Sequence, residues 1–323
     1  MTPAEEPRLD LLVHRMTWEA DGVLSIELTH PEGTPLAAWQ PGAHIDVHTG
    51  GHIRQYSLCS DPADTTHWRI GVLHEPASRG GSAHLHTQLR PGQRLHVQGP
   101  RNHFELDTTG DATGYLFIAG GIGITPLLAM AREATRTRTP WRLVHGGRTR
   151  TSMAFGAELT ELATLAELPD GTVEFVPQDE HGHIDLDTLL GDLAPGTQVY
   201  CCGPEPLLAA VEERHPDART ERFAAPTAAP RDGEDTAIDV VCSRTGRTVE
   251  VGPTTSVLDA LENAGIPVAS SCRDGICGTC ETKVLEGTPD HRDFLLTETE
   301  RETGASMMLC VSRARTPRLV LDL

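Results

Sequence analysis

Lysine is almost missing from this chain. Of its 323 residues 27 are basic and 46 acidic, giving a formal net charge of −19. Lys283 is the only lysine, so arginine carries nearly all the positive charge. A nucleic-acid binder needs a basic face for phosphates, and no Lys/Arg cluster supplies one. Also absent is any run of roughly 18 apolar residues, the length a membrane helix requires. Met1-Thr2-Pro3-Ala4-Glu5-Glu6 has no apolar core of the kind a secretory leader carries. A cytoplasmic, reducing location is expected, where the eight cysteines do not read as a disulfide framework. The 31 glycines and 23 prolines make many turns and few long helices, which excludes a helical bundle. The acidity reads as a solvated surface, with steering toward a cationic partner face as the sharper alternative.

Four cysteines form one pattern. Cys272, Cys277 and Cys280 lie in Ser271-Cys272-Arg273-Asp274-Gly275-Ile276-Cys277-Gly278-Thr279-Cys280, and Cys310 follows at a distance. Spacings of four and two with a remote fourth cysteine are the plant-type [2Fe–2S] signature. Three thiolates converging from one loop need a sharp backbone, which Gly275 and Gly278 allow. A zinc site usually pairs two close Cys-x2-Cys units, and the second pair is missing. Around the loop, residues 238–241 and 248–251 alternate as paired strands. Residues 256–264 read as a helix capped by Thr255 or Ser256 and stopped by Gly265, and 319–321 as a closing strand. Cys59, Cys201 and Cys242 read as buried small hydrophobes.

In the middle of the chain the apolar run 115–119 feeds Gly120-Gly121-Ile122-Gly123-Ile124-Thr125-Pro126, then a helical stretch over 127–134. A strand, a glycine turn and a helix start form a seat for a pyrophosphate. Pro126 stands where the ordinary fingerprint has its third glycine; proline is tolerated in a first helical turn. A second strand-turn-helix follows at Tyr200-Cys201-Cys202-Gly203-Pro204. After the strand at 142–145, Arg148 and Arg150 occur with no acid, which favours a 2′-phosphate.

Residues 8–108 hold many short strands, as in a barrel. Arg54-Gln55-Tyr56-Ser57 offers a phosphate partner, a ring to lie against an aromatic ring and a hydroxyl for a ring nitrogen. Arg79-Gly80-Gly81-Ser82 precedes a helical stretch over 83–89, with Ser82 expected as its cap. The pairs His84/His86 and His181/His183 read as solvated.

These motifs carry a resemblance. Gly-Gly-Ile-Gly-Ile-Thr-Pro with Cys-Gly-Pro resembles the nicotinamide domain of the ferredoxin–NADP reductase superfamily, and Arg-x-Tyr-Ser with the glycine-serine turn resembles its flavin barrel. The order barrel, nicotinamide domain, ferredoxin resembles the phthalate dioxygenase reductase family, including vanillate demethylase reductases, over essentially the whole chain. Asp290-His291-Arg292-Asp293 and the terminal Leu-Val-Leu-Asp-Leu add to it.

The resemblance implies a multidomain α/β plus β architecture. Residues 1–108 would form an antiparallel flavin-binding barrel and 109–224 a parallel α/β nicotinamide domain. A linker over 225–235 and a β-grasp [2Fe–2S] ferredoxin over 236–323 would follow. It implies FMN rather than FAD and NADH rather than NADPH. Ser57, Thr125, Cys202 and Phe223 would be catalytic. The cofactors would be held by Arg54, Gln55, Tyr56, Arg79, Gly80, Gly81, Ser82, Gly120, Gly121, Gly123, Pro126, Arg148, Gly203 and Pro204. The implied activity is a reductase passing a hydride from NADH to the flavin and single electrons through the cluster to a Rieske-type oxygenase. A cytochrome P450 is the alternative acceptor, and a redox carrier or sensor with an idle flavin site the alternative class. A monomer, binding neither nucleic acid nor membrane, is expected.

Overall fold

The computed structural model describes residues 8–49, 51–75, 80–110, 112–167, 172–226 and 235–323. They fall into two compact units that divide after Phe223.

The first unit begins with β1 (Leu9–Ala20), β2 (Val23–Thr29), β3 (Ala43–Thr49), β4 (His52–Ser57), β5 (His67–Leu73), α1 (Gly81–Thr87) and β6 (Arg94–Asn102). The six strands pair antiparallel in the order β4-β3-β6-β1-β2-β5. A bridge between Leu58 and Ile70 returns the end of β4 to β5 and closes the sheet into a barrel. Strand alternation aims Leu11, Val13, Ile26, Leu28, Ile45, Val47 and Trp68 into one core, as period-2 side chains must when one face is buried. Leu85 of α1 joins that core.

The same unit continues with β7 (Gly114–Gly120), α2 (Ile124–Thr137), β8 (Trp141–Gly147), α3 (Gly156–Leu165), β9 (Val173–Pro177), α4 (Gln178–His181), α5 (Leu186–Gly191), β10 (Thr197–Cys202), α6 (Glu205–Arg214) and β11 (Arg219–Glu221). The strands are all parallel in the order β11-β10-β7-β8-β9. Strand β7 is apolar throughout because both its faces are covered. Phe117 packs with Leu127 and Leu159 on one side, while Leu116 and Ile118 pack with Leu189 and Leu208 on the other. The strand order reverses at β7, so the carboxyl ends of β7 and β10 open a crevice, the place where such sheets bind ligands.

Barrel and parallel sheet share a core in which Val23, Cys59 and Phe104 meet Phe117, Leu128 and Phe155. Arg69 of β5 donates to both carboxylate oxygens of Glu158 on α3, at 3.0 and 2.6 Å. Its guanidinium also lies 5.2 Å from the Phe155 ring centroid. Arg132 of α2 pairs with the same carboxylate.

The second unit holds β12 (Ile238–Cys242), β13 (Arg247–Val251), α7 (Val257–Asn263), β14 (Glu281–Glu286), β15 (Pro289–Asp290), α8 (Glu298–Thr303), β16 (Ser306–Met308), β17 (Arg313–Ala314) and β18 (Arg318–Leu321). A mixed sheet in the order β13-β12-β18-β14-β16, with β12 parallel to β18, is the β-grasp expected from the sequence. Helix α7 buries Val257, Leu258 and Leu261 in the same core as Val240, Leu319 and Leu321. Ser256 caps it by accepting from Asp259 N at 3.0 Å, and Gly265 leaves it at φ 71°. Of the expected linker, residues 227–234 lie outside the described residues.

Candidate functional site

The cluster cysteines are brought together. Cys272, Cys277, Cys280 and Cys310 are 8%, 3%, 4% and 9% exposed. Cys272 lies against Cys277 and Cys310, and Cys280 against Cys310. The loop turns through positive φ at Arg273 (61°), Gly275 (74°) and Gly278 (74°). That curvature aims backbone amides at sulfur: Asp274 N donates to Cys272 Sγ at 3.3 Å, which favours the thiolate. At Gly275 a Cβ would sit 2.6 Å from Val311 Cγ2. Glycine thus lets the loop close on the segment that delivers Cys310. Four buried thiols in two adjoining pairs, with amide donors, fit a [2Fe–2S] cluster.

A second site lies in the barrel. Thr49 Oγ1 and Arg54 Nη2, on the β3–β4 hairpin, are buried without a hydrogen-bond partner among the described residues. Buried polar atoms left unpaired are costly, so a cluster of them marks a place for a polar ligand. A Cβ on Gly81 would stand 2.8 Å from Arg54 Cγ and 3.5 Å from Thr49 Oγ1. The glycine turn therefore backs directly onto these groups. This set suits a flavin with its phosphate at Thr49 and Arg54 and its ring near Ser57. Gln55 is committed to Asp46, donating Nε2 to Oδ1 at 2.6 Å. Tyr56 is largely buried, which pushes its hydroxyl up to about 12. Thr49 was not singled out in the sequence; no motif marks a lone threonine at a strand end.

Ser82 does not cap α1, contrary to expectation. The helix begins at Gly81 with Gly80 at the cap position, φ 104°, and no side-chain cap bond. Ser82 lies inside the helix, buried, where its Oγ accepts from Glu75 N at 3.1 Å. The flexible glycine took the boundary two residues earlier than the serine rule suggested. Arg79 lies outside the described residues. His86 is not solvated: its Nε2 bonds Val72 O at 2.9 Å.

The crevice of the parallel sheet is built from two turns in backbone contact. A Cβ on Gly123 would fall 2.1 Å from Cys202 O, one on Gly120 2.5 Å from Pro204 Cδ, and one on Gly203 2.9 Å from Gly120 Cα. Gly121 differs: it has φ +55° and nothing within 4 Å of its Cβ position. Three glycines thus serve turn-on-turn packing, and Gly121 faces the crevice. Helix α2 starts at Ile124, earlier than expected, with Thr125 and Pro126 buried in its first turn. Thr125 Oγ1 donates to Ile122 O at 3.0 Å. Its methyl would be 2.7 Å from a Cβ at Gly71, so the barrel strand β5 comes close to it.

Glu221, assigned no role in the sequence, sits at the junction. The parallel register of β10 and β11 sets it beside Cys202, whose thiol donates to Glu221 Oε2 at 3.8 Å. Half-buried by accessible surface, its carboxyl is nonetheless desolvated by the protein around it and pushed up to about 8, with Cys202 and Ser57 drawing it partway back. Burial likewise holds the Cys202 thiol well above its ordinary range. Ser57 of the barrel and Cys202 of the sheet therefore meet at one carboxyl. Phe223 follows two residues later and is 42% exposed. Nothing in a three-residue strand signals a desolvated glutamate. Arg148 is exposed on the turn after β8.

The model of the "2Fe-2S iron-sulfur cluster binding domain" matches residues 240–315, and that of the "Oxidoreductase NAD-binding domain" matches 117–213. With a flavin-type barrel ahead of them, these define a pyridine-nucleotide oxidoreductase ending in a ferredoxin domain. The chain is 41% identical over 322 residues to phenoxybenzoate dioxygenase subunit beta of Ectopseudomonas oleovorans, covering 98% of this chain and 97% of that one. It is 36% identical to phthalate dioxygenase reductase of Burkholderia cepacia, covering 100% and 99%. The solved phthalate dioxygenase reductase, described as modular for electron transfer from pyridine nucleotides to [2Fe–2S], superposes with a TM-score of 0.69 at 34% identity over 100% of both chains. An intact type IV self-sufficient cytochrome P450 monooxygenase superposes with a TM-score of 0.90 at 43% identity over 98% of this chain. This chain spans 41% of that longer one. The chain belongs to the phthalate dioxygenase reductase family.

Proposed function

We propose that the chain is the reductase of an oxygenase system, carrying electrons from NADH through FMN and [2Fe–2S] to a separate terminal oxygenase. The observation that carries this reading is the meeting of Ser57 and Cys202 at the Glu221 carboxyl. A strand of flavin-site residues and a turn of nicotinamide-site residues converge there on one carboxyl. When bound, the flavin would accept one hydride, two electrons with a proton, from the nicotinamide, and would pass the two electrons singly to a [2Fe–2S] cluster while the proton is released.

The chain's own residues then have defined work. Arg54, Thr49 and the Gly80-Gly81 turn hold the flavin phosphate, and Tyr56 and Ser57 hold the ring. Gly121 admits the pyrophosphate close to the backbone at the start of α2. Thr125 and Cys202 would flank the nicotinamide, and Phe223 would supply an aromatic ring near the flavin and nicotinamide. With its carboxyl at about 8, Glu221 keeps a proton at neutral pH and presents a neutral hydrogen-bonding group between Ser57 and Cys202. Cys272, Cys277, Cys280 and Cys310 hold the irons.

The acceptor is proposed to be a Rieske-type oxygenase acting on an aromatic acid. A cytochrome P450 acceptor is the second reading, favoured by the likeness to the reductase part of the self-sufficient P450. Among the described residues no helix is long and apolar enough to cross a membrane. Metal analysis and acid release of the flavin test the cofactors. Two irons per chain and FMN are expected. FAD would remove the FMN assignment, and iron-free folded protein would remove the whole reading.

A further inference from the structure

The turn after β8 bears on which nucleotide is used. In the order β11-β10-β7-β8-β9, a dinucleotide with its pyrophosphate at Gly121 extends in two directions along the carboxyl ends of the strands. The β10 side, with Cys202, is taken by the nicotinamide half. The adenosine half is left with the ends of β8 and β9. Those two ends are tied together, Asp179 N donating to Arg148 O at 3.2 Å.

Across this junction Arg150 meets Glu180. Arg150 Nε donates to Glu180 Oε1 at 3.2 Å and Nη2 to Oε2 at 2.7 Å, a two-point fork that matches carboxylate geometry. His181 Nε2 stands 3.6 Å from the same carboxylate, and Asp179 lies close enough to act on Arg150. Both partners are open to solvent, 55% and 42% exposed. A pair this exposed contributes little to stability. Its consequence is local: the guanidinium face that would clasp a 2′-phosphate is occupied, and a carboxylate stands beside it. The sequence offers two arginines and no acid after β8; the acid comes instead from the end of the next strand.

We propose that Glu180, by engaging Arg150, selects the nucleotide lacking a 2′-phosphate and presents its carboxylate to the adenosine ribose hydroxyls. The inference rests on the reading of Gly121, Thr125 and Cys202 as the nicotinamide site. It assigns donor choice to an ion pair spanning two strand ends.

Two measurements test it on the full chain. Calorimetry compares adenosine 5′-monophosphate with adenosine 2′,5′-bisphosphate. Anaerobic flavin reduction compares NADH with NADPH. Both are made on wild type, Glu180→Gln and the double variant Glu180→Gln/Arg150→Gln. Wild type should favour the ligands without 2′-phosphate. Glu180→Gln should tighten the 2′,5′-bisphosphate and lower the NADPH KM, each by about tenfold. The double variant should lose that gain, because the freed Arg150 produces it. An unchanged preference in Glu180→Gln, an equal change for both ligands, or a wild type that prefers the 2′-phosphate would overturn the proposal. If wild type binds neither adenosine ligand and neither nucleotide reduces the flavin, the nicotinamide reading fails and the proposal falls with it. That result is distinct from normal binding with unaltered selectivity.

Discussion

The two compact units hold their cofactor groups by opposite means. In the second unit the four ligating atoms come from one ten-residue neighbourhood and one return strand, and they touch one another. In the first unit the site is dispersed over β3, β4, the two glycine turns and β11. Its markers are unpaired polar atoms and backbone close contacts rather than a ligand set. A coordinate bond tolerates little freedom in spacing, so the cluster is written as a motif. A flavin and a nicotinamide are held by hydrogen bonds and shape, so their site emerges only when distant strands are registered.

That contrast can be broken experimentally, and the largest effect belongs to the cluster. Cys310→Ser should remove the iron and lower delivery of single electrons by at least about a hundredfold. Flavin content and its reduction by NADH should persist. Iron analysis and absorbance read both, and joint loss of flavin would show that the two sites are not separate.

Arg54→Ala comes next. Losing a charge-assisted bond to phosphate costs about 1.5–3 kcal/mol, so flavin affinity should fall roughly ten- to a hundredfold. Fluorescence titration of the flavin-stripped protein measures this, with iron content unaltered. Gly123→Ala tests the dispersed site by geometry alone. Its Cβ cannot coexist with Cys202 O at 2.1 Å, so the two turns must part at a cost of about 1–3 kcal/mol. Thermal unfolding should report the loss, and reduction by NADH should slow while the cluster stays intact.

The last effect is a slope, gradual at any one pH. The Glu221 carboxyl, at about 8 when folded, lies above its unfolded value near 4.5. The folded chain therefore holds a proton that the unfolded chain releases between these values. Stability falls as pH rises through that window, by up to about 1.4 kcal/mol per pH unit. Below the window both states are protonated and the term vanishes. Glu221→Gln should flatten the decline in denaturant unfolding measured from pH 5 to pH 8. A parallel slope in the variant would place the titration elsewhere.

Much of this was legible from residues alone. The strands at 115–119, 142–145, 238–241, 248–251 and 319–321, the cap at Ser256, the sharp turns at Gly275 and Gly278 and the four cluster cysteines follow from local pattern and spacing. The missing parts share a cause. Glu221 acts through the register of β10 with β11, Thr49 through a hairpin end that faces Gly81, and Glu180 through the end of a strand after the one inspected for an acid. Ser82 misled because a serine before a helical run is a cap only if the preceding glycine does not start the turn first. Gly120 and Gly123, read as phosphate glycines, also permit two turns to touch, a contact no local pattern shows.

The most direct test of the central claim is an anaerobic titration of the purified chain with NADH, followed by absorbance and by paramagnetic resonance of the cluster. Flavin and iron–sulfur bands should bleach together, and the reduced cluster's signal should grow as NADH is consumed. A flavin that bleaches while the cluster remains oxidised would contradict the account.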